Sequence, residues 1–299
     1  MNAIEIKQLS FSYPQNNYYS LQDVSLNIRA QCCTGIIGPN GAGKSTFISA
    51  LCGLIPNFEG SIQYPSITGE FIPLIDSVKR KVSLVPQEYA FYPQLTVLQN
   101  LHYFLSLCNI KKSAWKDLVE NTLNQSELSN VKNQKAKNLS GGYKRRLNIA
   151  IALVKEPEIL FLDEPTVGID PESREIIIRL LERFKLQGKT LLFTSHMLDE
   201  VEKICDDIIV FRDGKAEMNQ QNQKDNILLT VSFIQKPTNC EFLNFYQQRT
   251  NNTFQITLKS QDELSVQLQL LSQCSNQISN INYSANSVEC IYNHTQASI

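Results

Sequence analysis

Gly38-Pro-Asn-Gly-Ala-Gly-Lys-Ser-Thr46 decides how the rest of this chain is read. An apolar run, Cys33 to Gly38, leads into it and reads as a buried strand. Thr46 to Leu54 follows with an apolar helical period. A glycine-rich loop between strand and helix, closed by a lysine and a hydroxyl, is the context in which such a pattern binds phosphate. The glycines let successive backbone N–H groups converge on phosphate oxygens, and the helix N-terminus adds partial positive charge. Gly38, Pro39, Asn40, Gly41, Ala42, Gly43, Lys44, Ser45 and Thr46 are therefore the expected nucleotide-binding set. Lys44 supplies a point charge for the β- and γ-phosphates, and the Ser45 hydroxyl is placed to ligate Mg²⁺.

Composition sets the outer bounds. The chain has 299 residues, 42% hydrophobic and 19% charged, so a packed core in one or two domains is feasible. A net charge of -1 gives no electrostatic case for bulk nucleic-acid binding. No apolar run approaches the roughly 20 residues that span a bilayer. The opening Met1–Ser10 lacks the basic and apolar regions of a secretory signal. Eight cysteines in a chain this long make no disulfide scaffold, and Cys32 and Cys33 lack a partner pair at zinc-site spacing. The expectation is a soluble cytoplasmic protein.

Outward from the phosphate loop, the chain alternates strands and helices, which predicts a largely parallel sheet covered on both faces. Strands are expected at Ala3–Ser10 and Asp23–Ile28, with Tyr13, Tyr18 and Tyr19 competing to stack on a base or to pack the loop between them. Pro56 to Gly69 reads as a peripheral hairpin. Gln87 follows the short strand Lys81–Pro86, either at the strand end where open α/β sheets bind ligands or as an ordinary loop residue. Thr96 to Lys137 turns helical, an insertion in the α/β core. Ser140-Gly-Gly142 opens the next helix, as an anion-binding turn or a simple cap. Glu158 to Asp163 is an apolar strand ending in Asp163 and Glu164. Paired carboxylates there are costly unless a cation or proton chemistry uses them: Asp163 for Mg²⁺, Glu164 to orient and deprotonate a water. The alternative is a pair capping the next helix. His196, one of three histidines, follows the strand Lys189–Ser195, where it can donate to a phosphate oxygen or serve a structural role, the commoner case for an isolated histidine.

Near Glu217 the character changes. Residues 218–226 read as a polar linker. Beyond it, strand Ile227–Ile234, helix Cys240–Gln248, strand Thr253–Leu258, helix Gln261–Leu271 and strand structure across Ile278–Ile291 predict a small α+β domain of split β-α-β type over 227–299.

The ordered motifs resemble the ATP-binding subunit of an ABC transporter over residues 1–217, with the helical subdomain at about 88–140. The resemblance implies a P-loop NTPase core in an α/β fold with an added antiparallel part. It implies that Gly38–Thr46 is Walker A and that Asp163 and Glu164 are Walker B and the catalytic glutamate. Gln87 would be the Q-loop residue touching Mg²⁺ and the membrane partner, and His196 the switch histidine. Tyr13 would stack on adenine, and Gly168–Asp170 would form the D-loop. Ser140, Gly141 and Gly142 match the signature loop, which in the family binds the ATP held by the opposite subunit. Tyr143 departs from the family's usual glutamine, although the phosphate contacts implied come from the serine and glycines. Leu95–Leu101 and Ser195–Val201 look like the branch serving exporters, and Ser287–Tyr292 is similar to a small C-terminal domain appended there, with a regulatory or dimerising role.

The implied protein binds ATP and Mg²⁺ and works on the cytoplasmic face of a membrane with an integral membrane permease and a second ATP-binding subunit. The rival is a soluble ABC ATPase acting on the ribosome or nucleic acid. Only about fifty residues separate Gln87 from Ser140, too few for a long inserted coiled coil by heptad count. The near-neutral charge also argues against it.

Overall fold

Every residue of β3 (Cys33–Ile37), the strand that feeds the phosphate loop, is buried. A strand apolar on both faces belongs inside a parallel sheet covered on both sides. The computed structural model, which describes residues 2–14, 18–65, 70–73, 81–108, 110–220, 227–235, 243, 245–258 and 260–285, places it there. The chain divides into two compact units, Met1–Asn219 and Gln220–Ile299.

In the first unit β3 lies parallel to β8 (Thr190–Thr194) on one side and β9 (Asp207–Arg212) on the other. β7 (Ile159–Leu162), β6 (Val82–Val85) and β10 (Lys215–Gln220) complete a sheet ordered β10-β9-β3-β8-β7-β6. Met218 to Gln220, expected in the linker, belong to β10; the remainder of that linker lies outside the described residues. The turn Asp213-Gly214, positive in φ at both residues, folds β10 beside β9. Backbone pairing tolerates the polar side chains that suggested a linker.

A second sheet, ordered β2-β1-β4-β5, is antiparallel: β1 (Asn2–Phe11), β2 (Leu21–Arg29), β4 (Glu59–Pro65) and β5 (Phe71–Pro73). The stretch Pro56–Gly69 supplies β4, which pairs with β1 on one side and with β5 on the other, so the expected hairpin extends past Gly69 to Pro73; residues 66–69 are not described. Arg29, at the end of β2, grips fully buried Asp207 of β9 with two bonds of 2.7 and 2.8 Å and so ties the two sheets. Between them, Ile36, Phe161, Leu192 and Phe211 meet Phe47 and Leu51 of α1 (Lys44–Leu51) and Ile4, Leu9 and Ile28 of the antiparallel sheet. Each such side chain contributes about 1.5–3 kcal/mol on burial.

The expected helical insertion is present as α2 (Val97–Ser106) and α3 (Trp115–Gln125), packed on α4 (Gly141–Leu153) through Val97, Leu101, Val119, Leu123 and Leu147. Thr96 and Gln99 form a reciprocal cap that starts α2. α5 (Pro171–Leu186) and α6 (Leu198–Ile204) follow β7 and β8. Gly35 allows α6 to lie against β3: a Cβ there would meet Val201 Cγ1 at 2.5 Å and Cys205 Sγ at 2.9 Å. Gly35→Ala is expected to destabilise the unit by about 1–3 kcal/mol through overpacking, read from its urea midpoint.

The second unit holds β11 (Ile227–Phe233), β12 (Gln247–Thr250), β13 (Thr253–Leu258), α7 (Gln261–Ser272) and β14 (Ile278–Ala285). Its sheet is ordered β12-β13-β11-β14 with antiparallel neighbours. β13 and β14 are therefore parallel, joined by α7, with β11 between them: a split β-α-β arrangement. Leu229, Val231, Phe254, Leu264 and Leu271 form its core. Of the helix expected at Cys240–Gln248, the described part keeps one 3₁₀ turn at Leu243 and Phe245, with Tyr246 N donating to Leu243 O, before Gln247 begins β12. The hairpin onto β13, with Thr250 opposite Thr253, draws this polar segment into the sheet.

Candidate nucleotide site

The phosphate loop takes a backbone shape that glycine permits. Gly43, at φ +110°, caps α1, and a Cβ on it would meet Ser20 O at 2.4 Å. A Cβ on Gly38 would likewise meet Phe211 O, at 2.3 Å. Lys44 folds back over the loop, its Nζ donating to Gly38 O at 2.9 Å and Pro39 O at 3.0 Å. Burial lowers its pKa, against the pull of Glu164 and Asp163.

Around the loop opens a cleft of about 500 Å³, lined by Asn40, Gly41, Gly43, Lys44, Ser45 and Thr46 and, across from them, by Gln87, Glu164 and His196. Residues from four strand ends thus converge on one cavity at the carboxyl edge of the parallel sheet, where ligands of such sheets bind. Gly38, Pro39 and Ala42 support the loop from below the lining: Ala42 N donates to Pro39 O. Tyr13 and Tyr18 line the cleft; Tyr19 does not. The Tyr13 hydroxyl lies 3.4 Å from Thr46 Oγ1, and its ring stands edge-on to Phe11.

The acids at the end of β7 are organised for chemistry. Ser45 Oγ donates to Asp163 Oδ1 at 3.2 Å, and Thr194 Oγ1 donates to the same oxygen at 2.8 Å. Thr194 Oγ1 also accepts from Glu164 N at 2.7 Å. Glu164 has a left-handed backbone, φ +49°, which turns its side chain toward the cleft. One carboxyl oxygen accepts from Gln87 Nε2 at 3.1 Å and the other contacts His196 Nε2. Neither acid caps α5. Asp170 does so, accepting from Ser173 N at 2.9 Å, which lowers its pKa.

Ser140 caps α4, accepting from Tyr143 N at 3.5 Å, and Ser140 and Gly141 are exposed. None of Ser140, Gly141 and Gly142 lines the cleft. Gly142 packs on α5, where a Cβ would meet Ser173 Oγ at 2.0 Å. Tyr143 points away from the loop, its hydroxyl accepting from Asn130 at 2.9 Å under the Arg146 guanidinium, 4.1 Å from the ring centre.

Two α4 side chains hold the Gln87 loop and escape a sequence reading. Buried Arg145 donates to Gln87 O at 2.7 Å and to Val167 O at 3.3 Å, and burial lowers its pKa. Asn148 donates to Pro86 O at 3.0 Å and accepts from Ala90 N at 2.9 Å. In sequence they sit in a helix start singled out only for its glycine turn.

The strand, phosphate loop and converging acids define a phosphate-loop nucleotide-binding core. Residues 21–167 match the family described as ABC transporter. A linearmycin resistance ATP-binding protein of Bacillus subtilis is 38% identical over 223 residues, 72% of this chain and 71% of that one. A Nod factor export ATP-binding protein of Burkholderia orbicola is 38% identical over 193 residues, 64% of this chain and 62%, under two thirds, of that one. Among solved structures, cbiO1 of Clostridium perfringens, part of the ABC transporter complex cbiONQ, superposes with a TM-score of 0.65 at 26% identity, covering 74% of this chain and 90% of that one. The dimeric ATP-binding cassette MJ0796, in a post-hydrolysis state with ADP and Pi, gives 0.63 at 28%, covering 73% and 98%.

The chain belongs to the ABC transporter family, as an ATP-binding subunit with ATPase activity. Subunits of this kind dimerise and work with membrane components. Among the described residues no helix is long and apolar enough to cross a membrane.

Proposed function

We propose that this chain drives export through a separate integral membrane permease, at the cytoplasmic face, as one of two ATP-binding subunits closing head-to-tail over two ATP. The observation that carries the reading is the division of the site. Lys44, Ser45, Gln87, Glu164 and His196 share one cleft, while Ser140 and Gly141 stand exposed outside its lining. A second copy would bring its own Ser140 loop to the γ-phosphate, a contact made only in the closed state, which is what a ligand-driven change requires. Glu164 then acts as base toward water, Lys44 and His196 stabilise developing charge, and Tyr13 stacks on adenine.

Ser45 and Asp163 offer Mg²⁺ two hard oxygen donors 3.2 Å apart, and Gln87, which lines the same cleft, carries a third. This suits an ion that takes one or two carboxylates and leaves the remaining positions to substrate phosphates and water. When bound, Mg²⁺ would neutralise charge on the phosphates.

Beside the Gln87 loop lies an apolar groove of about 470 Å³ that includes Leu84, Pro86, Ala90, Phe104, Leu107 and Ile151. It joins the sheet edge to the helical insertion, and a permease segment seated there would touch both. The names of the relatives, export and resistance, support this direction over the ribosome or nucleic acid. Affinity purification of Glu164→Gln from detergent-solubilised cells with ATP tests the reading. A polytopic membrane protein should copurify; ribosomes or nucleic acid without one would overturn it.

A further inference from the structure

Glu164 and His196 come from different loops, and one buried side chain joins those loops. Glu200, on α6, is 2% exposed. Its Oε2 accepts from Thr166 Oγ1 at 2.8 Å and from Ser195 Oγ at 2.7 Å. Thr166 stands two residues past Glu164, and Ser195 directly precedes His196. Ser195 Oγ also accepts from Met197 N at 2.9 Å, so the backbone on both sides of His196 is gathered at this carboxyl group.

The arrangement is costly. The other oxygen, Oε1, is buried and makes no hydrogen bond among the described residues; Arg174 Nε of α5 stands 3.4 Å away without donating to it. A buried, half-satisfied carboxyl is a poor stabiliser, so its value lies in what it positions. Its own place is fixed, because Gly35 lets Val201 press α6 onto β3.

We propose that Glu200 is a positioning residue that clamps the loop after Glu164 to the loop before His196, setting the contact between base and histidine. This rests on the roles given to Glu164 and His196 above.

The test measures phosphate release at saturating ATP, alongside the affinity for a fluorescent ATP analogue, on the full chain. Glu200→Ala should lower kcat about 100-fold, as a misplacement of order 1 Å does, with nucleotide affinity within about twofold of wild type. Glu200→Gln can place its amide oxygen where Oε2 stands and accept from both hydroxyls, and should recover to within about fivefold of wild type. A Thr166→Val, Ser195→Ala double variant removes both donors while keeping the carboxyl. It should repeat the split, and it reads the clamp even where Glu200→Ala does not fold. Wild-type turnover by Glu200→Ala or by the double variant, or loss of affinity in parallel with kcat, would overturn the proposal. Glu164→Gln belongs in the same assay. If it is inactive while the Glu200 variants run at full rate, the clamp alone falls; if it turns over at the wild-type rate, the base assignment falls and the clamp with it.

Discussion

Glu164→Gln is expected to stop hydrolysis while leaving ATP bound and two copies of the chain joined. The amide matches the carboxyl in shape and can still meet the side chains of Gln87 and His196, so the cleft keeps its form. What it loses is the ability to take a proton from water. A positioned general base contributes about 10²–10⁴-fold, so kcat should fall at least about 100-fold with little change in KM. With hydrolysis blocked, the differential contact of the γ-phosphate persists, and light scattering after gel filtration in ATP should report a dimer. Turnover at the wild-type rate would remove Glu164 as base. A monomer in ATP would remove the closed dimer as the ATP state.

What the sequence makes legible is whatever is local. The phosphate loop and its two flanks are contiguous, and each acid or amide that lines the cleft sits at the end of an apolar run that announces a buried strand. The α4 contacts are the opposite case. Arg145 reaches Gln87 O across 58 positions of sequence, and Asn148 reaches Pro86 O across 62. Neither breaks a periodic pattern, because a buried polar side chain is recognisable by its partners and not by its neighbours. Glu200 is hidden for the same reason, one acid among several on a short helix. In the second unit the failure is of period. Gln247–Thr250 has no alternation of polar and apolar residues, and only pairing with β13 makes it a strand.

Lys44→Ala and Gly141→Glu are each expected to be inactive alone and to restore each other when mixed. Lys44→Ala removes the buried cation that bridges Gly38 O and Pro39 O at the floor of the cleft. Gly141 is exposed, and a Cβ there would meet nothing nearer than Ile169 Cγ2 at 3.9 Å, so glutamate is accommodated in the fold. An acid in the first turn of α4 also suits the helix dipole. Toward a phosphate brought by another copy it is repulsive, and each variant should lose about 100-fold or more of the rate. In a mixed dimer closed head-to-tail, both defects fall in one site and the other is intact. If copies carrying different tags assemble at random, half the dimers are mixed, and the preparation should regain about a quarter of the wild-type rate. A site built wholly within one chain predicts no recovery at all. The outcome therefore decides whether the exposed Ser140 loop serves its own cleft or that of its neighbour, and no property of either variant alone can do so.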